Sequence, residues 1–200
     1  VGFIGSGQMS SALVKGMLAT GIVTPNQVYC SDASEAQLKQ IYSLGVRTTM
    51  DNKALVSACQ IVVLCVKPQI VPLVLKEIAP LVTKEHLIVS VAAGVTISTI
   101  ASLLPPGSRV VRVMPNTPAL AGAGATAVSA GPTATKQDSE TVRALFQSVG
   151  VGKPRAAVLP ALAKCCCGCS APRAGEQPGR GHGAERQRAC LRVRLHRGSG

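Results

Sequence analysis

Residues 61–66 read IVVLCV, apolar on both alternations. A six-residue run is too short for a useful helix, and a strand apolar on both sides must be covered on both sides. Residues 87–91 (LIVSV) form a second such run. Helix-like segments and short turns separate them, which is the pattern of a parallel sheet with helices on both faces. The expected strands are 1–4, 27–30, 46–49, 61–66, 87–91, 110–114 and 124–129. The expected helices begin with 8–18, whose apolar positions are Met9, Ala12, Leu13 and Leu18. A second runs from a Ser34 cap to about Leu44, with Gly45 marking its end. Residues 53–58 form a third, and Pro68 opens a fourth whose Val71, Val74, Leu75, Ile78 and Leu81 share one face. Residues 97–104 and 135–149 complete the set. The fold class is α/β, a doubly wound, mostly parallel sheet.

Charge divides the chain. The formal net charge is +12. Residues 1–150 hold 11 Lys and Arg against 7 Asp and Glu, and residues 151–200 hold 10 against 2. Ala, Gly, Pro, Arg and Cys fill 33 of those last 50 positions, a composition that cannot bury a core. The chain therefore reads as a domain over 1–150 and an atypical, disordered tail over 151–200, with the character of GC-rich sequence in another reading frame. Cys166 and Cys169 are spaced like zinc ligands, but His182 and His196 lie too far apart to complete a finger. Arg186, Arg188, Arg192, Arg194 and Arg197 read as a solvated charge run rather than a specific nucleic-acid site. Aromatic residues are 2% of the chain, too few for a base-stacking platform. No uninterrupted apolar stretch reaches the 18 residues of a membrane span. The cysteines at 30, 59 and 65 stand singly beside apolar runs and read as buried thiols of a reducing compartment. The chain starts at Val1, already inside a strand, so the expectation is a fragment or a trimmed product, with any targeting peptide upstream of it. The cytoplasm is the expected compartment and the mitochondrion the alternative.

The chemistry sits where the first strand becomes the first helix, at Gly2-Phe3-Ile4-Gly5-Ser6-Gly7-Gln8-Met9-Ser10-Ser11-Ala12. Gly5 permits a tight turn, and Gly7 lets the backbone approach a pyrophosphate without a Cβ. Small Ser10 and Ala12 allow the helix to lie close to the strand. The phosphates then meet free N–H groups at the helix start. This is a Rossmann-like arrangement for NAD or NADP. The second strand ends at Ser31 and Asp32. Asp32 can bond the ribose 2′-hydroxyl and repel a 2′-phosphate, or it can cap the next helix; Ser31 and Ser34 can instead receive the phosphate. Those readings stay open. Lys67 is either a cofactor-side cation or a solvated charge, and Asn116 either faces a substrate or caps its own turn. No catalytic triad, carboxylate pair or metal set appears in these loops. His86, alone before a strand, reads as a surface residue.

Four motifs in order, GFIGSGQM at 2–9, CVKP at 65–68, VSVAAGVTI at 89–97 and RVMPNTP at 112–118, closely resemble the pyrroline-5-carboxylate reductase family over residues 1–150. The resemblance implies an NAD(P)H-dependent enzyme that reduces 1-pyrroline-5-carboxylate to proline. It implies that Ile4, Gly5, Ser6, Gly7, Gln8 and Met9 cradle the pyrophosphate. It places Asn52, Cys65, Val66, Lys67 and Pro68 along the dinucleotide, Ala93 near the nicotinamide, and Asn116 and Thr117 on the substrate side. The family's helical domain forms its homo-oligomer, and its Ser-Gly-Ser-Gly-Pro run does not occur here. The expectation is thus a truncated chain with little or no activity. Another imine or β-hydroxyacid reductase, and a basic-tailed nucleic-acid binder, are the alternatives.

Overall fold

The computed structural model describes residues 1–115 and 126–147. Strands β1 (Gly2–Ile4), β2 (Tyr29–Ser31), β3 (Arg47–Thr49), β4 (Ile61–Leu64), β5 (Leu87–Ser90), β6 (Arg109–Pro115) and β7 (Thr126–Ala130) form one sheet in the order β3-β2-β1-β4-β5-β6-β7. The first six are parallel, and β7 closes the edge antiparallel to β6. The helices are α1 (Gln8–Ala19), α2 (Glu35–Tyr42), α3 (Asn52–Ala58), α4 (Val71–Ile78), α5 (Ile97–Ser102) and α6 (Lys136–Gln147). Successive side chains on the central strands enter opposite cores, as period-two geometry requires. Phe3, Val63, Val89 and Val111 pack with Leu13, Val14 and Met17 of α1 and with Leu145 and Phe146 of α6. Ile4, Val62, Leu64, Ile88 and Val110 pack with Leu55 of α3, Leu75 of α4 and Ile100 of α5. The sheet is doubly wound, as expected.

Several boundaries differ from the sequence pattern, each for a local reason. Gln27 belongs to a 3-10 turn, not to a strand, because Thr24 N–H donates to its side-chain oxygen at 2.8 Å and Pro25 sets the first turn. α2 ends at Tyr42 rather than Leu44, and Ser34 precedes it without a side-chain cap bond. β4 stops at Leu64. Cys65 N–H still donates to Ile4 C=O at 2.8 Å, but β1 then turns away at Gly5 and its pairing with β4 ends at Leu64. In α1 the buried face is Ser10, Ser11, Leu13, Val14 and Met17, while Met9, Ala12 and Leu18 are half-buried. The close approach to the sheet uses two serines, not Ala12. His86 is half-buried: its Nδ1 accepts from Thr83 N–H at 3.0 Å and its Nε2 lies 3.2 Å from Val56 C=O. The helix expected over 135–149 is described as far as Gln147.

α6 is tied down at its start. Asp138 and Thr135 cap each other, with Thr135 N–H to Asp138 Oδ2 at 2.8 Å and Asp138 N–H to Thr135 Oγ1 at 3.1 Å. The other Asp138 oxygen accepts from Arg109 at 2.8 Å, and Arg109 also donates to Glu85 C=O at 2.7 Å. Because Asp138 is buried, Asp138→Ala strips a cap and leaves Arg109 without its anion. The expected cost is about 2–4 kcal/mol, read as a lower midpoint in urea unfolding. Burial pushes the Cys30 thiol from 9.0 up to about 12, and the nearby Cys59 adds to the rise. The unfolded thiol ionises first, so the folded state binds more protons above pH 9 and stability falls from there toward pH 12. Cys30→Val is expected to flatten that alkaline slope in pH-dependent thermal melts.

Candidate functional site

The carboxyl ends of β1, β2 and β4 open onto a cleft of about 660 Å³, within the range of small-molecule sites. Chain order reverses here, since β2 and β3 lie to one side of β1 and β4 onward to the other. An open α/β sheet binds ligands at such a crevice. Gly5 makes the turn out of β1 with φ +95°, a conformation that L side chains resist. A Cβ at Gly5 would also stand 2.8 Å from the Cys65 carbonyl carbon. Both demands select glycine. Gly7 is different: its φ is −73°, and an added Cβ would meet nothing within 4 Å. The space beside it belongs to the cleft.

Gly7 caps α1, whose first backbone bond is Ser11 N–H to Gly7 C=O at 2.9 Å. The N–H groups of Gln8, Met9 and Ser10 therefore have no intrahelical acceptor, and no acidic side chain occupies the first turn. Those amides and the helix dipole make an anion seat.

Asp32 joins the first two loops. Its Oδ2 accepts from Ser6 N–H at 2.6 Å and its Oδ1 from Ser34 N–H at 2.8 Å. Ser31 is fully buried, and its hydroxyl donates to Asn52 Oδ1 at 2.7 Å. Asn52 in turn donates from Nδ2 to Glu77 at 2.9 Å. Asn52 opens α3 behind Asp51, whose side chain accepts from Lys53 N–H at 2.8 Å. A hydrogen-bonded chain thus crosses the cleft wall from β2 through α3 to α4.

α4 also adds apolar side chains to the lining. α4 buries Val71, Val74, Leu75 and Ile78, while Ile70, Leu73, Val74 and Glu77 line the cleft at spacings of three and four. Ile70 and Leu73 are 41% and 64% exposed, a conspicuous pair of large apolar side chains for a helix that already has a core face. Cys65 is half-buried beside them, and burial pushes its thiol well above the usual range, so it presents a neutral thiol. Lys67 is exposed at the rim.

Ile4, Gly5, Gly7, Asp32, Asn52, Cys65, Val66 and Lys67, all singled out from the sequence, line this one cleft. Ser6 and Ser31 are buried behind it, and Gln8 and Met9 start α1. Pro68 begins the turn into α4, and Ala93 is exposed in the turn after β5, outside the lining. Asn116 and Thr117 lie outside the described residues. Sequence reasoning missed Ala33, Gln37, Ile70, Leu73 and Glu77. The signal for three of them was present: positions 70, 73 and 77 repeat at helical spacing on a face the 71, 74, 75, 78 stripe does not use. Among the described residues no group of three or more His, Cys, Asp or Glu could hold a metal ion.

Residues 1–94 match the family model described as NADP oxidoreductase coenzyme F420-dependent. Pyrroline-5-carboxylate reductase 3 of Mus musculus is 41% identical over 150 residues, 75% of this chain and 55% of that protein. The solved pyrroline-5-carboxylate reductase of Coxiella burnetii superposes with a TM-score of 0.72 at 36% identity, over 74% of this chain and 56% of that one. The Plasmodium falciparum pyrroline carboxylate reductase, solved with NADP bound, gives a TM-score of 0.65 at 29% identity, over 74% and 54%. The chain spans about half the length of the curated relatives it matches. Over about three quarters of its length, this chain is similar in sequence and fold to about half of the pyrroline-5-carboxylate reductases.

Proposed function

We propose that the cleft binds a nicotinamide dinucleotide and that the chain is the cofactor-binding half of a reductase acting on 1-pyrroline-5-carboxylate. The observation that carries this reading is the set of amides at Gln8, Met9 and Ser10 beside the open face of Gly7. Their geometry suits a pyrophosphate, which carries the negative charge that such amides attract. The adenosine then extends over Ile70 and Leu73 of α4, with its ribose toward Asp32 and Asn52. The other end of the dinucleotide extends toward the turn at Ala93. Bound reduced nicotinamide supplies a hydride. The residues of this chain bind and orient it, and the resemblance gives Asn116 and Thr117, just beyond β6, the substrate side. Support comes from the mouse and Coxiella relatives and from the Plasmodium enzyme with its NADP.

The division at about residue 150 is part of the proposal, with 151–200 standing where the family has its helical, oligomer-forming domain. Hydride transfer needs the acceptor carbon held about 3–3.5 Å from the donor, and losing that geometry costs orders of magnitude in rate. The family's Ser-Gly-Ser-Gly-Pro run is absent from this sequence. No nucleic acid or membrane enters this reading.

Two substitutions in one loop separate binding from folding. Gly7→Ala puts a methyl group into the cleft alone, so its unfolding midpoint should match wild type within about 0.5 kcal/mol. Its affinity for NADH should fall on the order of tenfold or more, because the backbone no longer reaches the pyrophosphate. Gly5→Ala should instead destabilise the fold by at least about 1–2 kcal/mol. Titration of NADH fluorescence alongside urea unfolding reads both; unchanged NADH binding by Gly7→Ala would remove the pyrophosphate from this loop. The 200-residue chain itself should quench or shift NADH fluorescence yet form no proline from 1-pyrroline-5-carboxylate. Proline formation at the rate of a full-length reductase would overturn the proposed division.

A further inference from the structure

Resting on the dinucleotide reading above, we propose that this cleft selects NADH over NADPH, with Asp32 as the residue that makes the choice. The two cofactors differ only in a phosphate on the adenosine ribose 2′-oxygen, so selection is decided by what surrounds that oxygen. In a doubly wound sheet it lies at the end of the second strand. Here that place is filled by Asp32, which lines the cleft with both carboxylate oxygens pinned by backbone amides, from Ser6 at 2.6 Å and Ser34 at 2.8 Å. The carboxylate cannot swing aside without releasing both loops. A ribose hydroxyl can donate to its remaining lone pairs, whereas a 2′-phosphate, bearing about −1.5 to −2 charges, would face a fixed like charge.

Ser34 also lines the cleft and is exposed, but its uncharged hydroxyl does not neutralise a phosphate beside a fixed carboxylate, and the other neighbours do not offset the charge. Ser31, a candidate phosphate partner by sequence, is buried with its hydroxyl committed to Asn52. One Asn52 N–H is committed to Glu77, which adds a second carboxylate to the same wall. Glu35 stands in the first turn of α2, where the helix end would otherwise attract an anion. Lys67 is the one cation lining the cleft among the described residues, and it follows β4. With β1 between β2 and β4, that is two strand spacings away, about 10 Å at the sheet level. The Plasmodium relative was solved with NADP, and the selection proposed for this chain rests on its own residues at the 2′ position.

The test is a direct titration of the 200-residue chain with NADH and with NADPH, followed by fluorescence and by calorimetry. NADH should bind on the order of tenfold or more tightly, and the ratio should shrink as salt screens the repulsion. Asp32→Ser should bring the two affinities together, chiefly by tightening NADPH, and Glu77→Gln should do so by a smaller factor. Thermal melts of each variant show whether the loops hold, and the wild-type ratio does not depend on any variant folding. Equal affinities, or tighter NADPH, would overturn the selection while leaving dinucleotide binding intact. Binding of neither cofactor would overturn the dinucleotide reading and the selection with it.

Discussion

The structure depends on how β1 ends. Three buried residues, Gly2, Phe3 and Ile4, sit between β2 and β4, and the chain leaves them through the positive-φ turn at Gly5. Gly5 N–H bonds Ser31 C=O at 2.8 Å while Ile4 C=O accepts from Cys65 at 2.8 Å, so the turn is fastened to both neighbouring strands at the moment it departs. A parallel sheet gains little from local contacts, and its strands must be brought together across long loops. The β1 exit is where two such loops are joined by one residue without a side chain. Its consequence is functional as well as structural: the same turn aims α1 so that its unpaired amides face the cleft.

Asp32 shows how one charged group can serve folding and recognition together. Its two oxygens accept from the loops after β1 and β2, which are brought together only by the fold. A carboxylate half-withdrawn from water is costly unless its lone pairs are used, and two backbone amides use them. The Ser31–Asn52–Glu77 chain repeats the device beside it, leaving each polar group with a fixed direction. Rigid polar groups around a small cleft discriminate better than flexible ones, because a mismatched ligand finds an acceptor or charge that cannot move away.

The fold was legible because its signals were redundant. IVVLCV could only be a doubly covered strand, and the glycine loop then had to sit at the start of a βα unit. The positions that alternate into the two cores, Phe3 and Val63 against Ile4 and Val62, are set by period-two geometry once the strands are known. The ends of elements were less legible. β4 stopped early because its partner turned, a fact written at Gly5 and not at Cys65 or Val66. Gln27 fell into a capped turn because its side chain reached back to Thr24, a three-residue interaction that alternation does not register. In the cleft, the residues missed were Ala33 and Gln37 after β2 and those contributed sideways at α4. Ile70 and Leu73 stand outside the 71, 74, 75, 78 stripe, and it is the sheet order that places α4 beside the β1–β4 crevice. His86 was misread because a lone histidine has no periodicity; its role emerged only when the loop brought it within reach of Val56.

Among the described residues, every one that lines the cleft lies from Ile4 to Glu77, and β5, β6, β7, α5 and α6 do not enter the lining. On the proposed dinucleotide reading, recognition of the adenosine and pyrophosphate is local to the first βαβ units, while β5, β6 and β7 extend the sheet beyond them. This separation has a physical cause. Binding a large charged cofactor needs many groups fixed by one compact core, and the strands flanking the switch point supply them. Holding a small acceptor needs few groups at fixed distance from the nicotinamide, and those can come from any element that reaches that edge. The two capacities thus draw on different parts of the sequence, and the described cleft belongs to the first.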